Sequence, residues 1–573
     1  MSRFQIVSAV EHSVVDVPKP QWSRRRRIVA LAVICLAELL VVLDNTIVNV
    51  ALPSIGVQLR TSMSGLQWIV DAYTLAFAGL LLALGHMGDR YGRRRVMLAG
   101  LVGIAVMSVA GALATDLGQI IAARAAMGVC AAAVFPATLA MIINIFQDGK
   151  ERALAVAAWT AMAGFAIAIG PTAGGWLLEY FSWHSVFWIN VPIAFGLVVA
   201  VWFLVPESKA GHVGAFDIPG IVLSLIAVVA LVWTIIEAPE YGWLSVISVC
   251  GYLGSVAVLG LFVWWELRTD SPVLDMRLFR IRRFAFPALA ITVVYFSMFG
   301  FLFMITQYFQ GVKEYTPLQF GVHSLPFAAS IAVGAPLATV IAQRVGTTAV
   351  VVFGLVVMSA GMLIAGQIEV ESEYVGPVLI SMILMGLGLA IVQGPATDSV
   401  MSSVQLDEAG AGSAVNDTTR ELGGTLGVAV LGSIMTSVYT SHIGAKIDAV
   451  PDLLMGAEQK AFARETVLSV IEMTKYPTNP LFAVQKADLI HSMKAAALEG
   501  FQLASYVTVS AALLCAIVVA VFLPWKPAGD DSVLLAWQDH ERDVENPSTA
   551  EEKTAEAVIP PNGGHPAPES SNR

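Results

Sequence analysis

The apolar run 28–50 is long enough to cross a bilayer, yet it carries Glu38 and Asp44, with Asn45 and Asn49 just behind them. A carboxylate at the centre of a membrane helix costs about 2.5–3.5 kcal/mol on insertion scales and is functional by default. The chemistry such a group offers is reversible protonation. An apolar surrounding favours the neutral acid, whereas a cationic solute or a basic side chain favours the ionised form. Competition between proton and solute at one carboxylate is sufficient for exchange, although Asp44 could also serve only to hydrogen-bond a neighbouring helix. Glu38 precedes Asp44 by six positions, so the two project about 120° apart on a helix and need not share a proton. Glu38 faces either a cavity, as a second proton or cation site, or another helix.

Other charges sit in apolar runs. Arg124 lies inside the run 118–142, and an arginine cannot shed its proton. It must find a carboxylate, a carbonyl or water, either as a structural pair or as a fixed charge beside a proton site. Arg420 and Glu421 open the run 411–438. Being adjacent, they point about 100° apart and serve as a gate, as coupling groups or as charges marking a membrane edge. Asp71 and Tyr73, in "WIVDAYTL", read as the start of a helix, where a carboxylate is favourable by itself.

The elements that position these residues follow from composition. The chain has 573 residues, 57% hydrophobic and 13% charged, with mean hydropathy +0.73. A soluble globular protein carries about 25% charged residues. This is an all-α polytopic membrane protein. Apolar windows long enough to span fall near 28–50, 66–86, 96–115, 118–142, 154–178, 183–204, 216–236, 246–266, 284–309, 319–341, 347–368, 375–397, 411–438 and 503–523, predicting 14 transmembrane helices. The basic stretch at Arg24–Arg27 precedes a run too long for a secretory leader and reads as an uncleaved first span.

Lys and Arg distribute unevenly among the short loops. One side collects Arg24 to Arg27, Arg90, Arg93 to Arg95, Lys150, Arg152, Lys209, Arg268, Arg277, Arg280, Arg282, Arg283 and Arg344, and the other little beyond Arg60 and Lys313. The positive-inside rule places both termini in the cytoplasm. The net charge of −10 concentrates in the region after Pro524, which excludes nucleic-acid binding by the chain as a whole. That Pro-, Glu- and Ser-rich tail, 526–573, has a disordered composition. Residues 439–502 read as one long extracytoplasmic loop with one or two short helices, the second able to run into the last span. Cys35, Cys130, Cys250 and Cys515 fall in apolar runs and read as buried small hydrophobes. His86, His184 and His491 lack metal spacing, and no glycine-rich loop with lysine offers a phosphate site. Neither metal nor cofactor is expected, nor an enzyme.

The chain also repeats. "GDRYGRRRVMLAG" (88–100) is echoed by "AQRVGTTAVVVFG" (342–354), and "MGVCAAAVFPAT" (127–138) by "MGLGLAIVQGPAT" (385–397). Two echoes at one offset suggest two six-helix halves in parallel order, a build found in many secondary transporters.

The loop Gly85-x-x-Gly88-Asp89-Arg90-x-Gly92-Arg93-Arg94 resembles the signature between helices two and three of the major facilitator superfamily, with Met87 in place of the usual leucine. The resemblance implies that Asp89 and the arginines latch the two halves in one conformation and release them in another. "AIAIGPTAGGW", with Gly170, Pro171, Gly174 and Gly175, resembles the motif of exporters in that superfamily, Ala166 replacing its first glycine. Arg124 with Gly128 resembles the family's fourth-helix motif, with Met127 and Cys130 where Gln and Gly are usual. "LDNTIVNVALP", 43–53, resembles the first-helix motif of fourteen-span drug:proton antiporters, which implies that Asp44 faces the central cavity and takes part in proton coupling, with Asn49 nearby. "NDTTRELGGTLGVAVLGS", 416–433, is similar to that family's thirteenth helix, with Glu421 where Gln is common.

The resemblance implies a major facilitator fold. It would comprise an N-terminal cytoplasmic segment 1–27, a six-helix bundle 28–204, two inserted helices with linker 205–283, and a second six-helix bundle 284–525. The expected activity is proton-coupled efflux of drugs or other amphipathic, cationic small molecules across the plasma membrane by alternating access, with protons and membrane lipid as the other partners. One alternative is a dedicated exporter of an endogenous metabolite, lipid or siderophore-like compound, and another is a non-transporting scaffold or sensor.

Overall fold

The computed structural model describes residues 22–209, 216–269, 271–404, 409–452, 455–475 and 483–525. Residues 1–21 and the acidic tail 526–573, expected to be disordered, lie outside these. The chain divides into Met1–Leu523 and Pro524–Arg573, and nearly all described residues belong to the first unit.

That unit is helical. The chain runs through α1 (Arg24–Leu59), α2 (Met63–Tyr91), α3 (Arg93–Ala112), α4 (Leu117–Ile145) and α5 (Gly149–Tyr180). The short α6 (Ser185–Trp188) leads into α7 (Asn190–Leu204), followed by α8 (Ile218–Tyr241) and α9 (Val246–Glu266). Then come α10 (Arg282–Gln307), the short α11 (Pro317–His323), α12 (Leu325–Val345), α13 (Thr347–Ala365) and α14 (Leu379–Ser402). The last are α15 (Ala409–Asp448), two short helices α16 (Ala457–Glu465) and α17 (Ser469–Lys475), and α18 (Ala483–Phe522). Among the described residues, 14 helices are long and apolar enough to cross a membrane, one for each window read from the sequence. Helices suit a bilayer because they satisfy every backbone polar group internally. Loop-facing ends are closed by side chains: Ser62 accepts from Gly65 N, Asp116 from Gln119 N and Ser245 from Ser248 N, while Thr316 and Gln319 form a capping box.

The repeated sequence is repeated geometry. Gly92 ends α2 and opens α3 at φ 114°, and Gly346 does the same between α12 and α13 at φ 92°. Only glycine takes this conformation without strain. A Cβ on Gly100 would lie 2.7 Å from Val134 Cγ2, and one on Gly354 would lie 2.7 Å from Val392 Cγ2. Gly128 meets the Tyr73 carbonyl as Gly386 meets that of Phe327. These close backbone approaches are how helices associate where no hydrophobic force separates them from lipid.

The inserted helix α8 lies across the seam between α2 and α15. Val232, Ile235 and Ile236 form one buried cluster with Leu75 of α2 and Ala429 of α15. Trp68 Nε1 donates to Glu237 Oε1 at 3.2 Å, and Trp243 Nε1 donates to Ser437 Oγ at 2.9 Å.

Two sequence expectations change. The loop drawn at 439–502 is shorter, because α15 continues to Asp448 and α18 begins at Ala483. Polar pairs hold these extensions together: His442 Nε2 to Glu499 at 3.1 Å, and Lys446 Nζ to Ser492 at 2.9 Å. Between them, the buried Val467 and Leu468 cover Gly311, just past α10, and Gly56 of α1. The cysteines are not all buried. Cys35 and Cys515 are, Cys130 is half-buried, and Cys250 is exposed on α9.

Candidate functional site

The first-helix stretch is seated by the exporter-like stretch of α5. A Cβ on Gly170 would fall 2.1 Å from Thr46 Oγ1, and one on Gly174 would fall 2.8 Å from Ile47 Cγ1. The two motifs therefore pack face to face, and residues 43–50 follow the small-residue face of α5. Gly175 points elsewhere, onto the Pro317 carbonyl of α11, and Gly321 of α11 returns the contact onto the Pro171 carbonyl. Thr172 Oγ1 donates to the Gly321 carbonyl at 3.1 Å.

This seating turns Asp44 inward. Arg124 Nη1 on α4 donates to Asp44 Oδ2 at 2.7 Å, and Asn190 Nδ2 on α7 donates to Asp44 Oδ1 at 2.6 Å. The arginine side chain is 0% exposed and the aspartate 3%. Arg124 Nε donates to the Ile69 carbonyl at 3.1 Å, its guanidinium stacks over Tyr73 at 4.1 Å, and its Nη2 has no partner. The Tyr73 hydroxyl returns to the Val41 carbonyl. Such a pair repays its desolvation only through geometry and added hydrogen bonds, and here α1, α2, α4 and α7 each supply a member. Asn49, expected beside it, is not part of this group: its amide donates to Asn45 O within α1 at 3.0 Å.

Glu38 faces another way, as the 120° separation requires. It is fully buried and neither carboxyl oxygen has a donor. The charges that act on it belong to α15, Asp417 and Arg420. Arg420 Nη1 reaches Asp417 at 3.4 Å, its Nη2 donates to Thr397 Oγ1 of α14 at 3.2 Å, and it lies over the Tyr295 ring of α10. Glu421 stands beside them with Oε2 unpartnered. Arg420 and Glu421 thus lie inside the bundle and are not edge charges. Two carboxylate groupings result, one on either side of α1.

The loop 85–95 packs closely: a Cβ on Gly85 would lie 3.3 Å from Pro136, and one on Gly88 would lie 3.9 Å from Arg93. Asp89 pairs with Arg93 at 2.7 Å across the Gly92 turn, and Arg93 also donates to the Ala140 carbonyl. Glu207, just beyond α7, accepts from Arg94 N at 3.0 Å and lies near the Arg94 and Arg95 guanidiniums. Arg90 meets the ring of its neighbour Tyr91.

Asp71 is a correction. The helix begins at Met63, so Asp71 lies two turns inside it, beyond the reach of the end dipole, which fades within the first turn. It is fully buried with both oxygens unpartnered, on the face where Gln67 donates to the Val428 and Ala429 carbonyls and Thr74 meets Thr425. Sequence reasoning also missed Asn190 and Asp417. Asp417 had a signal, its i, i+3 spacing to Arg420. Asn190 had none beyond being an amide inside an apolar run. Among the described residues no group of three or more His, Cys, Asp or Glu side chains could hold a metal ion.

Comparison with known proteins identifies the family of the chain. The sequence pattern of the Major Facilitator Superfamily matches residues 34–428. The chain is 37% identical over 440 residues to the multidrug efflux pump LfrA of Mycolicibacterium smegmatis, covering 77% of this chain and 87% of that protein. It is 36% identical over 450 residues to the puromycin resistance protein pur8 of Streptomyces alboniger, covering 77% and 88%. A tetracenomycin C resistance and export protein of Streptomyces glaucescens is 33% identical over 408 residues, covering 71% and 76%. Among solved structures, a bacterial homologue of the human lysosomal transporter Spinster, inward-facing and unoccupied, superposes with TM-score 0.57 at 15% identity, over 88% of this chain and 100% of that one.

Proposed function

This chain belongs to the major facilitator superfamily, and we propose that it is a proton-coupled exporter of lipophilic, cationic small molecules working by alternating access. The observation that carries the reading is the buried pair of Asp44 and Arg124. Only one member of that pair can become neutral, because an arginine keeps its proton. Protonating Asp44 strands a buried cation, an expensive state that drives rearrangement of α1 against α4. Proton binding is thereby coupled to helix movement. Glu38, without a donor of its own, is the second group that exchanges a proton for a cation. Asp89 with the loop arginines, and Arg420 with Glu421, serve as gating charges that pair differently in the two states.

In this reading the basic face is cytoplasmic and holds both termini, and the membrane is the plasma membrane. The halves 28–204 and 284–525 rock about the site, with 205–283 inserted between them. The close contacts of α5 with α11, and the cover of Val467 and Leu468 over α1, lie on the extracytoplasmic side. The relative named for tetracenomycin C export supports a second reading, in which the cargo is one endogenous product.

The test is proton release from purified protein in detergent on adding ethidium, for wild type, Asp44→Asn and Glu38→Gln. Release in wild type that vanishes in Asp44→Asn is expected. Release that survives in Asp44→Asn but vanishes in Glu38→Gln moves coupling to Glu38. Ethidium binding without any release overturns the shared-carboxylate mechanism, and absence of binding favours the dedicated exporter.

A further inference from the structure

The feet of the two inserted helices carry a second carboxylate arrangement, remote from Asp44 and not used in the mechanism above. Asp217 caps the start of α8, and Glu266 is the last residue of α9. They are 8% and 3% exposed. In each, one oxygen is satisfied: Asp217 Oδ1 accepts from Gly220 N at 3.0 Å and Trp265 Nε1 at 2.8 Å, and Glu266 Oε2 accepts from Leu274 N at 3.1 Å. In each, the other oxygen, Asp217 Oδ2 and Glu266 Oε1, has no donor. These two orphan atoms converge on one point. Each lies 2.4 Å from where a Cβ on Gly220 would stand, so the glycine leaves the space in which they meet.

Two ionised carboxylates this close in an apolar setting repel, and each keeps an unsatisfied oxygen. One proton removes both costs, because an O–H···O⁻ bond satisfies both orphan atoms at once and is among the strong hydrogen bonds. We propose that Asp217 and Glu266 form a proton-binding site in which one proton is shared between Asp217 Oδ2 and Glu266 Oε1. The other charged and titratable groups on the surrounding elements are His86, whose buried Nε2 has no partner, Arg268 and Asp275. His86 of α2 meets the ring of Phe216 at 5.2 Å, Arg268 lies over Trp264 at 4.4 Å, and Asp275 caps Arg277 N. Asp217 is the charge that acts on Glu266.

The location gives the proton a mechanical effect. Asp217 ends the linker arriving from α7, and Glu266 holds, through the Leu274 amide, the linker leaving for α10. The shared proton fastens the two linkers to each other. Its loss sets the two carboxylates against each other across Gly220, which loosens the 267–281 linker and frees α8 and α9 to shift on the seam between α2 and α15. The site senses pH on the basic face.

The test uses the full-length protein in lipid nanodiscs with pH-difference infrared spectroscopy, and hydrogen exchange of the Leu274 amide as a second readout. Beside the bands of other buried carboxyls such as Glu38, Asp44 and Asp71, wild type is expected to give one further protonated-carboxyl band that disappears on raising the pH. Glu266→Gln and Asp217→Asn should each remove that same band, and the double variant should remove nothing more, since an amide permanently supplies the donor that the proton supplies. Protection of Leu274, corrected for base catalysis, should fall about tenfold across the transition in wild type, the equivalent of one pH unit of proton affinity, and stay flat in Asp217→Asn. No protonated-carboxyl band lost on substituting either residue, two bands lost independently, or the shared band abolished by sodium or calcium at constant pH would each overturn the shared proton. A cap-preserving asparagine and an isosteric glutamine keep the fold, so a flat wild-type profile counts against the proposal too.

Discussion

The pair of Asp44 and Arg124 makes an asymmetric prediction. In Asp44→Asn the guanidinium stays charged, 0% exposed, with Nη2 unpartnered and only the Ile69 carbonyl and the Tyr73 ring to offset its desolvation. Removing one partner of a buried pair costs about 3–5 kcal/mol, and the asparagine oxygen recovers part of that. In Arg124→Met the remaining carboxyl takes a proton and keeps its bond from Asn190, so the cost falls to about 1–3 kcal/mol, that of a buried polar group short of one partner. The double variant Asp44→Asn/Arg124→Met buries no charge there, and replacing a buried pair by neutral groups is often neutral or stabilising. The two substitutions should therefore couple by about 2–3 kcal/mol, with the double variant unfolding at a higher temperature than Asp44→Asn alone. Efflux should not return with stability: in proteoliposomes with an imposed proton gradient, both single variants and the double should fail to drive ethidium export. Thermal unfolding followed by tryptophan fluorescence reads the first quantity, and dye efflux the second. Asp44→Asn as stable as wild type, or costs that simply add, would refute the argument that the pair is the lock proton binding breaks.

Glu38→Met should leave the unfolding temperature unchanged or raise it, since it removes a buried carboxyl that has no donor, while lowering proton release on ethidium binding. Gly170→Ala should cost about 1–3 kcal/mol by overpacking, because its methyl would meet Thr46 Oγ1. Gly196→Ala, with nothing within 4 Å, should be neutral or stabilising in the same unfolding assay. Gly92→Ala should lose about 1–2 kcal/mol from its left-handed backbone alone, plus a clash with Glu207. On α16, Glu465 is solvent-exposed, yet partial shielding of its carboxyl by its surroundings, and then Glu240 nearby, hold it above its usual range. A group raised on folding stabilises below its unfolded value and loses that effect as pH rises through the folded one. Protease resistance of 449–482 should accordingly decline with rising pH in wild type and stay level in Glu465→Gln.

The spans were legible because each is an unbroken apolar window, and so was the helical register that sends Glu38 and Asp44 to different neighbours. The glycine-rich stretches were legible as close packing, but not their destinations. Gly170 and Gly174 receive α1 while the adjacent Gly175 receives α11, a split that depends on which helices flank α5. Asp71 was misread because its role turns on where the helix starts. The apolar window suggested 66, and the Ser62 cap begins the helix at Met63, carrying Asp71 well clear of the end. Asn190 meets Asp44 from 146 positions away, and no local pattern announces such a partner. The helical reach of α15 and α18 past the membrane edge was hidden for the opposite reason. Charged and polar residues there break the apolar window, yet they hydrogen-bond across the two helices.

The repeat explains where the chemistry had to appear. Glycines, a valine and a proline recur between the two repeats: Gly92 with Gly346, Gly100 and Val134 with Gly354 and Val392, Gly128 with Gly386, Pro136 with Pro395. The glycine and valine pairs do matching packing work, since close approach and left-handed turns depend on backbone shape that both repeats share. Arg90 recurs as Arg344, but the buried ion pair does not recur. At the offset that aligns Gly128 with Gly386, Arg124 falls opposite Met382. At the offset of the loop, Asp44 falls opposite Met298. Both methionines are buried. Two equivalent ion pairs would double the desolvation cost and give both repeats the same response to a proton. On the proposed mechanism, one pair lets protonation alter the packing of α1 on α4 without the same change between α10 and α14. Under that proposal, the shared scaffold gains a proton-dependent difference between its repeats from two substituted positions.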